Sequence, residues 1–295
     1  MWMVRVLVLA VCGLLAACGP KPEGADAPVM PLLFNAADIQ KQDKLLILIP
    51  GSMTPLGIFD PVVEWRSKGY AFAAYRFPGM DGRPLDGPLD IATAAQTIVK
   101  LAERFPDKQI KLLGFSTGAP IAMLAAKQIG PRAQVAGMSS AVEFGGGAQT
   151  ALRGVDDILV AAARAQSVNT RKVWENYFPV LLFGRAGARS PERADDIARI
   201  TSRPKKIVVE PSFNIFKAHT MALVGWQMPE GFTLPPEQVH LYAGTADTVF
   251  RPRQVRRFAK SIGGAPITFY PGLGHLLYVA EPRVFDDILA FFEQG

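Results

Sequence analysis

Little in this sequence could cross-link the chain or bind a metal. Among 295 residues there are two cysteines, Cys12 and Cys18, and three histidines, His219, His240 and His275. So few sulfur and imidazole groups, so widely spread, exclude a disulfide framework and a structural zinc site as organising elements, and no metal or cofactor is expected. Runs of like charge are also short. The formal charge of +6 would suit an acidic partner, but the basic residues are interspersed with acidic ones. No nucleic-acid-binding motif accompanies them, so no nucleic-acid partner is expected. The amino-terminal apolar run, Val6 to Ala17, is too short to span a bilayer. What the chain does have is a hydrophobic content of 49% against 20% charged residues. That composition indicates a globular chain with a sizeable core, long enough for one large α/β domain with an insertion, or for two small ones.

Residues 1 to 17 read as a targeting segment: Arg5 supplies a charged start, and the apolar run ends in Leu15-Ala16-Ala17-Cys18. This ending resembles the lipobox of bacterial lipoproteins. The resemblance implies cleavage before Cys18, acylation of its thiol and amine, and stable anchoring by two or more lipid chains. Gly19 after the cysteine implies the periplasmic face of the outer membrane. A plain signal peptide is the alternative. Residues 18 to 28, rich in Pro, Gly and Ala, read as a flexible tether.

From there the pattern alternates between strands and helices. Val29 to Asn35 is a candidate edge strand, and Leu45 to Ile49 is a continuous apolar run expected of a strand buried on both faces. Further strands are expected at Gly69 to Tyr75, Gln134 to Ser140, Gln238 to Ala243 and Pro266 to Tyr270. Helical segments are expected around Pro61 to Ser67, at Asp90 to Phe105 and at Val284 to Glu293. Such alternation implies a mostly parallel central sheet with helices on both faces. Residues 29 to 141 and 237 to 295 are expected to form this core. Residues 142 to 236 break the alternation and read as a helical lid insertion, with helices near Val155 to Gln166, Arg171 to Leu182, Ser190 to Ile200 and Lys217 to Trp226. The alternative for part of it is another strand at Ile207 to Val209.

The most informative stretch is Ile110 to Ala126. A short apolar strand leads into Gly114-Phe115-Ser116-Thr117-Gly118, and an Ala- and Leu-rich helix follows. A serine at the apex of a strand–turn–helix must stand on a strained turn. Its neighbours two residues either side must then be small, because strand and helix pass so close. Downstream, the strand at 238–243 ends in Gly244-Thr245-Ala246-Asp247, and the strand at 266–270 leads to Gly272-Leu273-Gly274-His275. Ligands gather at the carboxyl edge of open α/β sheets, so Ser116, Asp247 and His275 could meet there.

With these residues in view, the chain resembles the α/β-hydrolase family from about residue 44 to 292, the lid excepted. The resemblance rests on GFSTG around Ser116, GTADTVF around Asp247 and GLGH ending at His275. It implies Ser116 as nucleophile, His275 as the base that takes and returns its proton, and Asp247 as the acid that holds the imidazole. Glu143, after the strand at 134–140, occupies the other place where this fold puts its acid. Pro50-Gly51-Ser52 matches the family's oxyanion segment, with Pro50 where histidine is usual, and implies the Ser52 and Thr117 amides as oxyanion donors.

The remaining candidates are less specific. His219 in the lid reads as a surface residue or a substrate contact, and His240 as a satisfied sheet residue. Arg251, Arg253, Arg256 and Arg257 could meet an anionic group but fit a solvated helix face. Trp174, Tyr177, Phe178, Phe213, Phe216, Met221 and Trp226 could line an acyl pocket or pack the lid onto the core. The expected activity is cleavage of a hydrophobic or acyl-lipid-like carboxylic ester. Thioester, amide or acyl-transfer chemistry, or a non-catalytic envelope binding protein, are the alternatives.

Overall fold

In the computed structural model, residues 30–141, 170–202, 212–223 and 226–294 are described. The targeting segment, Cys18, the tether, Glu143, the helix expected near Val155 to Gln166 and the alternative strand at Ile207 to Val209 all lie outside these residues.

The frame is a seven-stranded sheet in the order β1-β3-β2-β4-β5-β6-β7. Its strands are β1 (Leu32–Phe34), β2 (Lys44–Ile49), β3 (Tyr70–Tyr75), β4 (Gln109–Phe115), β5 (Ala133–Met138), β6 (Val239–Gly244) and β7 (Ile267–Tyr270). Only β1 runs antiparallel, pairing with β3 at the edge; the other pairings are parallel. The apolar run in β2 follows from burial on both sides: Leu45, Ile47 and Ile49 enter one core cluster, while Leu46 and Leu48 enter the other.

Helices supply the two outer layers. On one side lie α2 (Ile91–Glu103) and α3 (Gly118–Ile129), following α1 (Ala36–Lys41) at the edge. Asp90 caps α2 by accepting from the Thr93 amide. A 13-residue 3-10 helix, Leu56–Lys68, replaces the shorter helix expected at Pro61 to Ser67, and ends at Gly69 with φ 85°.

The connection between β5 and β6 carries α4 (Thr170–Gly187), α5 (Ala194–Thr201) and α6 (Phe213–Met221). Beyond β6 come α7 (Pro252–Ser261), the short α8 (Leu277–Ala280) and α9 (Val284–Phe292). The second core cluster is shared by α9 with Trp65 and Tyr70, and by Tyr177 to Phe183 of α4.

Leu112, at the centre of β4, is fully buried at 0% exposure. Leu112→Ala is expected to cost about 3 kcal/mol through lost transfer energy and the cavity left behind. In a urea titration this should appear as a lower midpoint with an unchanged slope.

Candidate active site

β4 ends in a sharp turn. Ser116 has φ 48°, in the left-handed region that a side chain ordinarily avoids. The turn exists because strand and helix meet almost without space. A Cβ on Gly114 would lie 2.5 Å from the Ala119 Cα, and one on Gly118 would lie 2.2 Å from the Ile49 carbonyl oxygen. Two backbone bonds hold it: the Ser116 amide donates to Met138 at 2.8 Å, and the Ala119 amide donates to Ser116 at 3.1 Å. The Ser116 side chain is half-buried.

Asp247 and His275 come from the loops after β6 and β7, and these loops are tied together. The Ala246 amide donates to the Leu273 carbonyl at 2.8 Å, and the Gly272 amide donates to the Thr245 hydroxyl at 2.8 Å. Asp247 Oδ1 accepts from the Val249 and Phe250 amides at 2.7 and 2.9 Å. Its Oδ2 lies 3.0 Å from His275 Nδ1. A carboxylate in this position calls for hydrogen on Nδ1, leaving Nε2 as the acceptor. Asp247 thus both turns its own loop and holds the imidazole. The His275 ring packs 5.3 Å from that of Phe115, the residue preceding Ser116, and 5.7 Å from that of Phe250. Among the described residues the Ser116 hydroxyl makes no hydrogen bond. All three residues thus follow the carboxyl ends of parallel strands; the acid–imidazole pair is made, and no hydrogen bond joins it to Ser116.

The loop after β2 lies against this turn. A Cβ on Gly51 would stand 3.0 Å from that of Ser116 and 2.7 Å from the Phe115 ring. The Ser52 and Thr117 hydroxyls are 2.9 Å apart. Among the described residues neither the Ser52 nor the Thr117 amide makes a hydrogen bond. The loop is otherwise well tied. Thr54 donates its amide to Gly51 and its hydroxyl to Ser52, both at 3.2 Å. The Leu56 amide donates to the Asp81 carboxylate at 3.1 Å. Burial pushes the Asp81 carboxyl upward, against the Leu56 bond and the nearby Arg76.

Two features of the β5–β6 connection went undetected in the sequence. The first is a break in α4 at Gly184, where φ is 70° and ψ 176°. A continuous helix would use the Leu181 and Leu182 carbonyls for the amides four residues on. Instead Leu182 accepts from the Gly274 amide at 2.7 Å and Leu181 from Leu276 at 2.9 Å, on either side of His275. The second is His219 on α6, which is fully buried rather than at the surface. Its Nδ1 accepts from the Met53 amide at 2.9 Å, so its Nε2–H donates to the Pro78 carbonyl at 2.8 Å. Burial pushes its pKa down to about 4, which outweighs the Pro78 bond. Ile215, Ala218, His219 and Ala222 recur at helical spacing, and this periodicity marks His219 as inward-facing.

The remaining candidates differ in burial. His240 is half-buried, bonded to the Thr268 hydroxyl at 2.9 Å and stacked on Tyr242. Arg251, Arg253, Arg256 and Arg257 are exposed on and beside α7, with Arg256 over the Phe269 ring. Tyr177 and Phe178 are buried in the second core cluster, whereas Phe213 is 67% exposed. Trp174 packs beside Tyr177 and Phe178. Phe216, Met221 and Trp226 are half-buried. Among the described residues no three His, Cys, Asp or Glu side chains could share a metal ion.

Comparison with known proteins agrees with this architecture. The pattern of the "Alpha/beta hydrolase family" matches residues 46–288, well over half of the sequence. The chain belongs to that family, and so stands among hydrolases. Similar solved structures include MGS-M2, an α/β hydrolase from a Medee basin deep-sea metagenome library, with TM-score 0.65, 16% identity and 86% and 90% of the two chains covered. A thermophilic esterase from Thermogutta terrifontis gives TM-score 0.65 at 15% identity, covering 94% of this chain and 99% of that one. The enol-lactonase from Burkholderia xenovorans LB400 gives 0.60 at 17% identity, covering 89% and 95%. At these identities the likeness is one of fold. No curated protein matches the chain.

The buried His219 makes a prediction about acid stability. A histidine whose folded pKa is lowered binds more protons when unfolded, so its stabilising contribution is complete above pH 6.5 and is lost as pH falls toward 4. The loss across that window should be about 3 kcal/mol. In paired denaturation series the wild type should lose that much more stability than His219→Gln between the two pH values.

Proposed function

We propose that this protein is a serine hydrolase that cleaves carboxylic esters through an acyl-enzyme, with Ser116 as nucleophile, His275 as general base and acid, and Asp247 as the orienting carboxylate. The observation that carries this reading is the buried Asp247–His275 hydrogen bond at 3.0 Å, made at the strand edge where Ser116 stands on its left-handed turn. His275 Nε2 takes the Ser116 proton as Oγ attacks the acyl carbon, then delivers that proton to the departing alcohol. Water repeats the cycle and releases the acid. The Ser52 and Thr117 amides receive the negative oxygen of the tetrahedral intermediate; neither has another hydrogen-bond partner among the described residues. Each donor of this kind contributes roughly 3 kcal/mol to lowering the barrier.

The substrate we propose is a hydrophobic or acyl-lipid-like ester. Support comes from the aromatic content of the β5–β6 connection and from the lipobox-like ending at Cys18, which would tether the enzyme to the periplasmic face of the outer membrane. Cysteine 18 would carry the acyl chains. Cys18→Ala should therefore abolish incorporation of labelled palmitate and release the protein from the membrane fraction.

Protein lacking the anchor should hydrolyse p-nitrophenyl esters across a series of chain lengths and react with a fluorophosphonate probe. Ser116→Ala should abolish both activities, and Asp247→Asn should reduce turnover by roughly 10³-fold or more. Full activity in Ser116→Ala would relocate the nucleophile. An added alcohol or amine that outcompetes water for the acyl group would instead assign the protein to acyl transfer.

A further inference from the structure

We infer that His219 is a positioning residue for the proposed reaction: from α6 it fixes the orientation of the Ser52–Met53 peptide and so aims the Ser52 amide at the oxyanion. The inference rests on the serine-hydrolase reading and adds to it a residue outside the catalytic set.

The Ser52 N–H lies in the Gly51–Ser52 peptide plane, and how far that plane can turn is limited by the Ser52–Met53 plane to which the Ser52 backbone joins it. The first plane is held through Gly51, whose carbonyl accepts from the Thr54 amide at 3.2 Å and whose Cα lies against Phe115 and Ser116. The second plane carries the Ser52 carbonyl and the Met53 amide. The carbonyl has a local partner in the Thr54 hydroxyl at 3.2 Å. The Met53 amide has no backbone acceptor of its own in the loop; it donates to His219 Nδ1 at 2.9 Å, across 166 positions of sequence. Met53 itself has φ 58°, a conformation a non-glycine residue keeps only when its surroundings impose it.

His219 in turn cannot rotate freely. Its Nε2–H is committed to the Pro78 carbonyl at 2.8 Å, and its ring meets that of Phe77 edge-on at 5.5 Å. The helix that carries it is fixed by the Leu89 amide donating to the Ala218 carbonyl at 3.2 Å. One neutral imidazole thus bridges the loop after β2 to the loop after β3. An acceptor is needed at its Nδ1, and an apolar ring of the same size cannot provide one.

The test compares His219→Phe, which keeps a ring and removes the acceptor, with His219→Asn, whose amide oxygen can take the Nδ1 position. Steady-state kinetics on one p-nitrophenyl ester should show kcat lowered about 10- to 100-fold in His219→Phe, with KM changed less than about threefold. His219→Asn should recover most of that loss. Hydrogen exchange of the peptide covering residues 52–54 should quicken at least about tenfold in His219→Phe, and this measurement does not require activity. Should His219→Phe fail to fold, His219→Ala serves in its place. Wild-type kcat in a folded His219→Phe would overturn the inference while leaving the hydrolase reading intact. So would losses that His219→Asn does not recover at all. If the wild type neither hydrolyses esters nor reacts with the probe, the hydrolase reading fails. Exchange at residues 52–54 then decides the positional part, and unchanged protection in His219→Phe overturns that as well.

Discussion

The architecture depends on one residue held where it would not go by itself. Placing Ser116 at φ 48° costs on the order of 1–2 kcal/mol, so the surroundings must impose it. They do so through space as much as through bonds. α3 starts against the carbonyls of β2, so close that residue 118 can have no side chain, and the Ser116 amide is tied to the neighbouring β5. The core of the sheet resists any relaxation of the turn. The hydroxyl is thereby presented at the strand edge by packing that extends well below it.

Against that fixed point, the other groups arrive on loops, and loops need bracing. The β6 and β7 loops brace each other: Asp247 closes its own turn with one oxygen and holds His275 with the other. The β5–β6 connection braces from above, with the Leu181 and Leu182 carbonyls beside His275 and His219 beside Met53. A segment that could be taken for a removable cover therefore supplies hydrogen-bond acceptors to both loops beside the turn.

What the sequence discloses follows from where the information lies. The elbow was legible because Gly114, Ser116 and Gly118 are a local pattern whose meaning is steric. The parallel sheet was legible because burial on both faces leaves apolar runs such as Leu45 to Ile49. The order of Ser116, Asp247 and His275 pointed to one edge, and the Asp247–His275 bond is there. For His219 the sequence suggests a surface position or a substrate contact, because its actual partners, Met53 and Pro78, lie 166 and 141 positions away. The break at Gly184 carries even less signal. Its consequence is two backbone carbonyls redirected toward another loop, and carbonyls have no letter in the sequence.

That break limits what could stand in for the covering segment. A covering segment joined to its core only by side-chain packing could be exchanged, lengthened or recruited from a paralogue with modest repacking. Here the core reaches into the interior of a helix for its acceptors, and Gly184 sits so close to the Ala246 carbonyl that a Cβ would stand 2.5 Å from it. A transplanted segment would have to reproduce an interrupted helix at the same height above the sheet, or leave the Gly274 and Leu276 amides unsatisfied. The covering segment is therefore constrained by the backbone of the core as well as by the shape of its side chains.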